Sequence, residues 1–198
     1  MTQTTRRTIL LSAAAVVGVA ATGLLSRIGG VFASGTIVGK PGKVTVVQFD
    51  DAGKSLGPAT LDKIVQSEEA WQARLASAEQ ANIAFYVTRQ EGTEMAFTGP
   101  HWDRHDPGLY RCVCCDNALF TNDTKYDSGT GWPSFWQPIA GENVAESSDS
   151  AFGMVRTAVS CALCDSHLGH VFDDGPAPTG LRYCMNGVAL RFIAASAA

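Results

Sequence analysis

Two cysteine pairs, Cys112-Val113-Cys114-Cys115 and Cys161-Ala162-Leu163-Cys164, constrain this chain more than any other feature. A Cys-x-x-Cys turn aims two sulfurs at one point, so two such turns supply the four thiolates of a tetrahedral zinc site with bonds of about 2.3 Å. Four protein ligands close the coordination shell, and a closed site is structural. One zinc ion per chain is therefore expected on Cys112, Cys115, Cys161 and Cys164. The 45 residues between Cys115 and Cys161 make it a clip across a large loop. Apparent zinc-binding energies of roughly 10–16 kcal/mol exceed the net stability of a typical small domain, so losing one pair is expected to unfold it. Two disulfides are a competing reading. A redox-active pair is another, but it wants one Cys-x-x-Cys opening a helix in a βαβ unit, and neither pair has that setting.

The rest of the composition fits one globular domain of 198 residues, 45% hydrophobic and 17% charged. Residues 1–33 hold three basic side chains and no acidic one, which leaves twelve basic against nineteen acidic, a net of −7, for the remainder. A protein of that charge lacks the basic footprint that nucleic acid requires.

Residues 1–33 read as an export signal peptide: Arg6-Arg7, an apolar run at residues 9–25, then small residues before a cleavage point after Ala33. The paired arginines resemble the twin-arginine export signal, so the export machinery is an expected partner and the periplasm the expected destination. The alternative is an uncleaved anchor that tethers the protein. Residues 34–60 read as an N-terminal extension with a β-hairpin, built on the β-branched run at 44–49 and a turn at 50–53. Ser67 before Glu68-Glu69, with Trp71 and Leu75 four apart, predicts an N-capped helix. The Ser77/Gln80 capping-box pattern predicts a second helix to about Tyr86. Beyond Gly92 turns and alternating segments dominate, and residues 154–161 and 183–193 read as strands. The expected fold is mainly β: a short helical lead-in, then antiparallel sheets with the structural four-cysteine zinc site, over residues 61–198.

Cys184 stands apart from the four ligands, in Arg182-Tyr183-Cys184-Met185-Asn186. On a strand, Arg182 and Asn186 share a face with its thiol, offering a cation to favour the thiolate and an amide to orient a reactant. The bland reading is a small buried hydrophobe. Further motifs are Gly129-Thr130-Gly131-Trp132-Pro133-Ser134-Phe135, then His167-Leu168-Gly169-His170-Val171-Phe172-Asp173-Asp174-Gly175-Pro176, then Pro178-Thr179-Gly180. With the two cysteine pairs they closely resemble, in order, the B-type methionine sulfoxide reductases over roughly residues 64–192. That resemblance implies two antiparallel sheets with zinc distant from the active site. It implies Cys184 as nucleophile, with Arg182, Asn186, His167 and His170 in the catalytic set and Trp132 and Phe172 against substrate. The implied reaction reduces methionine-R-sulfoxide in oxidised proteins or peptides, or as the free amino acid, through a sulfenic acid on Cys184.

The residue types suit that chemistry: a thiolate attacks the electrophilic sulfur, a histidine protonates the departing oxygen, and Trp132 packs on the methyl group. His167 and His170 could instead bind metal, although four thiolates already saturate one zinc. Many relatives carry a second cysteine where this chain has Thr130. Clearance of the sulfenic acid then falls to Cys114 or to an external, thioredoxin-like thiol reductant, and the remoteness of zinc from Cys184 favours the external route. A monomer is expected. The competing function is a catalytically inactive, zinc-stabilised binding module in the periplasm.

Overall fold

The computed structural model of the chain describes residues 36–150 and 155–195. The export signal expected at residues 1–33 lies outside them. Among the described residues no helix is long and apolar enough to cross a membrane.

A short strand, β1 (Ile37–Val38), precedes the hairpin of β2 (Lys43–Phe49) and β3 (Ser55–Asp62). Asp50 closes its tip, the carboxylate accepting the Ala52 and Lys54 N–H groups, as the Asp-Asp-Ala-Gly turn predicts. The hairpin is docked, because the buried Asn143 side chain completes its backbone: Oδ1 accepts from Val47 N, and Nδ2 donates to the carbonyls of Val47 and Ala118, all at 2.8 Å. Arg111 adds a bond to the Phe49 carbonyl and an ion pair with Asp51.

β4 (Gln66–Ser67) pairs with β1 and leads into α1 (Glu68–Leu75). Ser67 caps this helix as expected, accepting the Ala70 N–H, with Glu68 and Glu69 in the first turn and Trp71 and Leu75 buried. The second helix, α2 (Ala81–Gln90), begins later and runs further than the capping-box pattern predicts. No side chain caps it. Ser77 is consumed in the turn that ends α1, where Ala78 N bonds Leu75 O, and Gln80 sits in a left-handed conformation with its side chain donating to the Thr98 carbonyl.

The β body follows as β5 (Gly108–Cys112), β6 (Ala118–Thr121), β7 (Lys125–Tyr126), β8 (Ser134–Phe135), β9 (Val144–Asp149), β10 (Arg156–Cys161), β11 (His167–Phe172), β12 (Arg182–Met185) and β13 (Leu190–Ala194). One sheet has six strands in the order β7-β8-β12-β11-β10-β9; the other has three, β13-β5-β6. Their pairings are antiparallel, so the fold is mainly β as expected. The continuous strand expected over residues 183–193 is broken. A 3-10 turn at Gly187–Ala189 separates β12 from β13 and sends them to different sheets. Buried Glu94 causes the break, because its carboxylate accepts the Gly187 and Val188 N–H groups that a straight strand would offer to a neighbour.

Aromatic rings fill the space between the sheets. Phe120 stacks on Phe135 at 4.4 Å, Tyr110 meets Phe135 and Phe192 edge-on or tilted at 5.1 Å, and Tyr183 closes the group against Phe120 at 5.9 Å. Phe135 is thus a core residue. This packing holds β12, and with it Cys184, against a rigid support.

Candidate active site and metal centre

The two Cys-x-x-Cys turns are built alike. In each, the first cysteine's N–H bonds a carbonyl five residues on (Asn117, Ser166) and its carbonyl accepts the N–H four residues on (Asp116, Asp165). Asp116 and Asp165 both have positive φ, 68° and 56°, which closes the turns. Each carboxylate is then anchored, Asp116 by Arg191 and Asp165 by Lys63.

The turns bring the four sulfurs within 4.8 Å of one another in a buried cluster. A tetrahedron of about 2.3 Å bonds has edges of about 3.8 Å. Cys112 Sγ lies 3.7 Å from Cys164 Sγ, and Cys115 Sγ lies 3.5 Å from Cys161 Sγ. Those separations are far too long for disulfides, whose sulfurs lie about 2.05 Å apart. The cluster fits a tetrathiolate metal ion. Burial pushes the Cys112 thiol well above its ordinary range, while hydrogen bonds from the neighbouring thiols, Cys112 first, hold Cys164 well below it. Four such sulfurs become compatible only when a cation shares their charge. Donors already point at them: Arg89 Nη2 is 3.3 Å from Cys164 Sγ, and Asn117 Nδ2 is 3.6 Å from Cys161 Sγ. Arg89 also lies 3.8 Å over the Trp71 ring, tying the cluster to α1. Sequence reasoning had no signal for either donor, since each acts through the folded packing.

Cys184 lies elsewhere. It is half-buried on β12, opposite His170 on β11, and lines a cavity of about 120 Å³ with Thr93, Trp132, Arg156, Gly169, His170, Phe172 and Asn186. None of the zinc-type cysteines, and not Cys114, is in that lining. The close pairing of β11 with β12 depends on Gly169, where a Cβ would fall 2.2 Å from the Cys184 carbonyl oxygen.

Five of the expected site residues therefore share one cavity: Cys184, His170, Asn186, Trp132 and Phe172. Arg182 stands beside it. Its guanidinium forks onto Asp174 at 2.7 and 2.8 Å and stacks 4.3 Å over the Phe172 ring. The Asp174 hydrogen bonds, and more weakly the Cys184 charge, hold Arg182 in its cationic form, and Arg182 holds the exposed Asp174 carboxyl below its usual range. Asn186 is committed to positioning: Oδ1 accepts the Glu94 N–H, and Nδ2 donates to the Leu168 carbonyl. Trp132 donates to the Glu94 carbonyl, so one buried glutamate organises the indole, the amide and the strand break after Cys184. Sequence reasoning gave Glu94 no role in the site. An acidic residue among Gly, Thr and Met carries no sign that it will be buried.

The Thr130 hydroxyl lies 3.8 Å from Cys184 Sγ and continues through Ser128 (2.8 Å) to Ser134 (2.7 Å). His170 Nε2 bonds Asp149 Oδ2 at 2.8 Å, and Arg156 Nη2 holds the same oxygen at 2.7 Å. The carboxylate fixes the imidazole tautomer and orientation. Asp149 and Arg156 were not anticipated, because Ser-Ser-Asp-Ser reads as an ordinary polar turn.

His167 differs from His170. Its ring faces a neighbouring cavity, and burial first, then the His170 charge, lowers its pKa to about 4 against a partial opposing pull from Asp149. The unfolded chain takes up a proton as pH falls through 6.5, while the folded chain does so only near 4. Stability is therefore complete above pH 6.5 and falls between 6.5 and 4, by about 3 kcal/mol over that window. Urea midpoints should drop from pH 7 to pH 5, and His167→Gln should flatten the drop. An unchanged pH dependence in His167→Gln would contradict neutral burial of this ring.

This framework, two antiparallel sheets joined by a tetrathiol cluster with a separate single-cysteine pocket, is that of a SelR domain, whose pattern matches residues 81–194. Similar proteins include "Peptide methionine sulfoxide reductase MsrB" of Herminiimonas arsenicoxydans, 50% identical over 131 residues, 66% of this chain and 92% of the relative. The MsrB of Agrobacterium fabrum is 50% identical over 133 residues, 67% of this chain and 95% of the relative. The chloroplastic "Peptide methionine sulfoxide reductase B1" of Arabidopsis thaliana is 57% identical over 126 residues, 63% of this chain and 59% of the relative. The chain belongs to the SelR-domain family of B-type peptide methionine sulfoxide reductases.

Proposed function

We propose that this protein is a peptide-methionine (R)-S-oxide reductase that uses Cys184 as its nucleophile. The observation that carries the reading is a half-buried, unpaired thiol opening into a small cavity walled by Trp132, Phe172 and His170. The aromatic walls hold the methyl group and keep bulk water out. The Cys184 thiolate attacks the sulfoxide sulfur while His170, its Nε2–H held by Asp149 and its ring doubly protonated, gives the Nδ1 proton to the oxygen. The oxygen passes to Cys184 as a sulfenic acid, the cysteine is oxidised, and the substrate leaves as the thioether, reduced by two electrons. The Thr130 hydroxyl, 3.8 Å from the sulfur, is placed to hydrogen-bond it during oxygen transfer.

Thr130 cannot resolve the sulfenic acid by forming a disulfide, and Cys114 is fully buried in the first metal turn. An external dithiol therefore returns the enzyme, giving up two electrons as it becomes a disulfide and releasing water. The four-cysteine cluster holds zinc, which supplies folding energy and leaves no position for substrate. The leader at residues 1–33 supports export through the twin-arginine route to the periplasm. Separated diastereomers test the reading. With a dithiol reductant, the enzyme should consume the R-sulfoxide and leave the S-sulfoxide untouched, and turnover of S or of neither would overturn it.

A further inference from the structure

Residues 38–64 precede the SelR match, which begins at residue 81, and they fasten onto both cysteine turns. On the second turn, the Ile64 N–H donates to the Leu163 carbonyl at 2.9 Å, the Lys40 N–H donates to Asp165 Oδ2 at 3.0 Å, and the Lys63 ammonium pairs with Oδ1 of the same carboxylate. On the first turn Arg111 is the tie. Its Nη1 donates to the Asp116 carbonyl at 3.1 Å, and its Nη2 donates to the Phe49 carbonyl and pairs with the Asp51 carboxylate, both at 2.9 Å. Asp116 and Asp165 are the left-handed residues that close the two turns, so both clasps fall where a turn must bend to open. Between the clasps, Val47 gives its N–H and its carbonyl to the Asn143 side chain, and the Asn143 carbonyl accepts from Ala162 N–H and Asn117 Nδ2, each at 3.1 Å. Asn117 is the donor to Cys161 Sγ. Val46, 1% exposed, packs into the same core cluster as the four cysteines, none of which is more than 8% exposed. An ion held by them reaches water only when a turn opens.

Resting on the zinc reading above, we infer that residues 38–64 are a strap that holds both cysteine turns shut and sets the rate at which the metal leaves. The four thiolates supply the binding energy. The strap governs how often a turn opens, because local opening must first break its bonds to Leu163, Asp165, Asn143 and Arg111.

The test follows zinc leaving the full-length, metal-loaded protein into excess pyridylazoresorcinol, a chelator read by absorbance. Lys63→Met removes the ion pair with Asp165, and Val47→Pro removes the N–H that reaches Asn143 while keeping a backbone angle that an edge strand allows. Each variant should start with one zinc per chain and release it about tenfold faster, the worth of one part-buried hydrogen bond. Asp62→Asn, which breaks only the exposed pair with Lys43 inside the hairpin, should release zinc at the native rate. Circular dichroism on the same samples gives the rate of global unfolding. The inference is overturned if Lys63→Met and any folded Val47→Pro protein release zinc at the native rate, or if faster release only matches faster global unfolding. Failure of the zinc reading looks different: the native protein then carries no stoichiometric zinc as purified.

Discussion

Cys184→Ser should abolish reduction of methionine-R-sulfoxide, by on the order of a thousandfold or more, while the protein stays folded and keeps its metal. The loss is large because the nucleophile is the only group that bonds to the reacting atom, and a hydroxyl at the same place is not ionised near neutral pH. The fold should survive because Cys184 forms no disulfide and its backbone pairings to β8 and β11 do not depend on sulfur. Near-ultraviolet circular dichroism and a zinc assay on the same sample separate the two effects. Retained activity in a folded Cys184→Ser protein would mean that another residue does the chemistry.

Cys161→Ser should have the opposite signature, with metal content and soluble folded protein falling together. Cys161 is fully buried at the end of β10, and its carbonyl and N–H close the second turn onto Asp165 and Ser166. Replacing one thiolate removes much of a binding energy of roughly 10 kcal/mol or more, which is as large as the stability of most domains of this size. The damage should spread, because the second turn also receives the Ile64 N–H on Leu163 and the Arg89 guanidinium on Cys164. Zinc analysis beside thermal unfolding measures this. A Cys161→Ser protein that is metal-free yet folded and active would contradict a structural role for the cluster.

What was legible in the chain beforehand follows a physical line. The cysteine turns, the Ser67 cap and the β2–β3 hairpin are local. Their signals sit within a few residues, and local hydrogen bonds set their shape before distant partners are added. Strand alternation alone put Asn186 beside Cys184, whereas the joining of His170, Trp132 and Phe172 to them was legible only through resemblance, because no residue spacing says that β8, β11 and β12 become neighbours. Residues that act through long-range burial were not legible. Glu94 reaches across 93 residues to cut the final run in two, and Asn143 reaches across 96 to hold the hairpin. Arg89 and Asp149 belong to the same class, since a charge in a helix or a polar turn looks solvated until the opposing element is packed against it. The capping-box expectation failed for a related reason. The α1–α2 turn is tight, and Ser77 is used up within it before α2 begins.

On the proposed mechanism the oxygen passes to one sulfur and stays there until an outside thiol removes it. Enzyme treated with one equivalent of methionine-R-sulfoxide and no reductant, then trapped with dimedone and digested, reads this directly by mass spectrometry. The expected product is a single adduct on the peptide bearing Cys184, with Cys114 still a free thiol. A Cys114–Cys184 disulfide, or an oxidised residue elsewhere with Cys184 unmodified, would contradict the account.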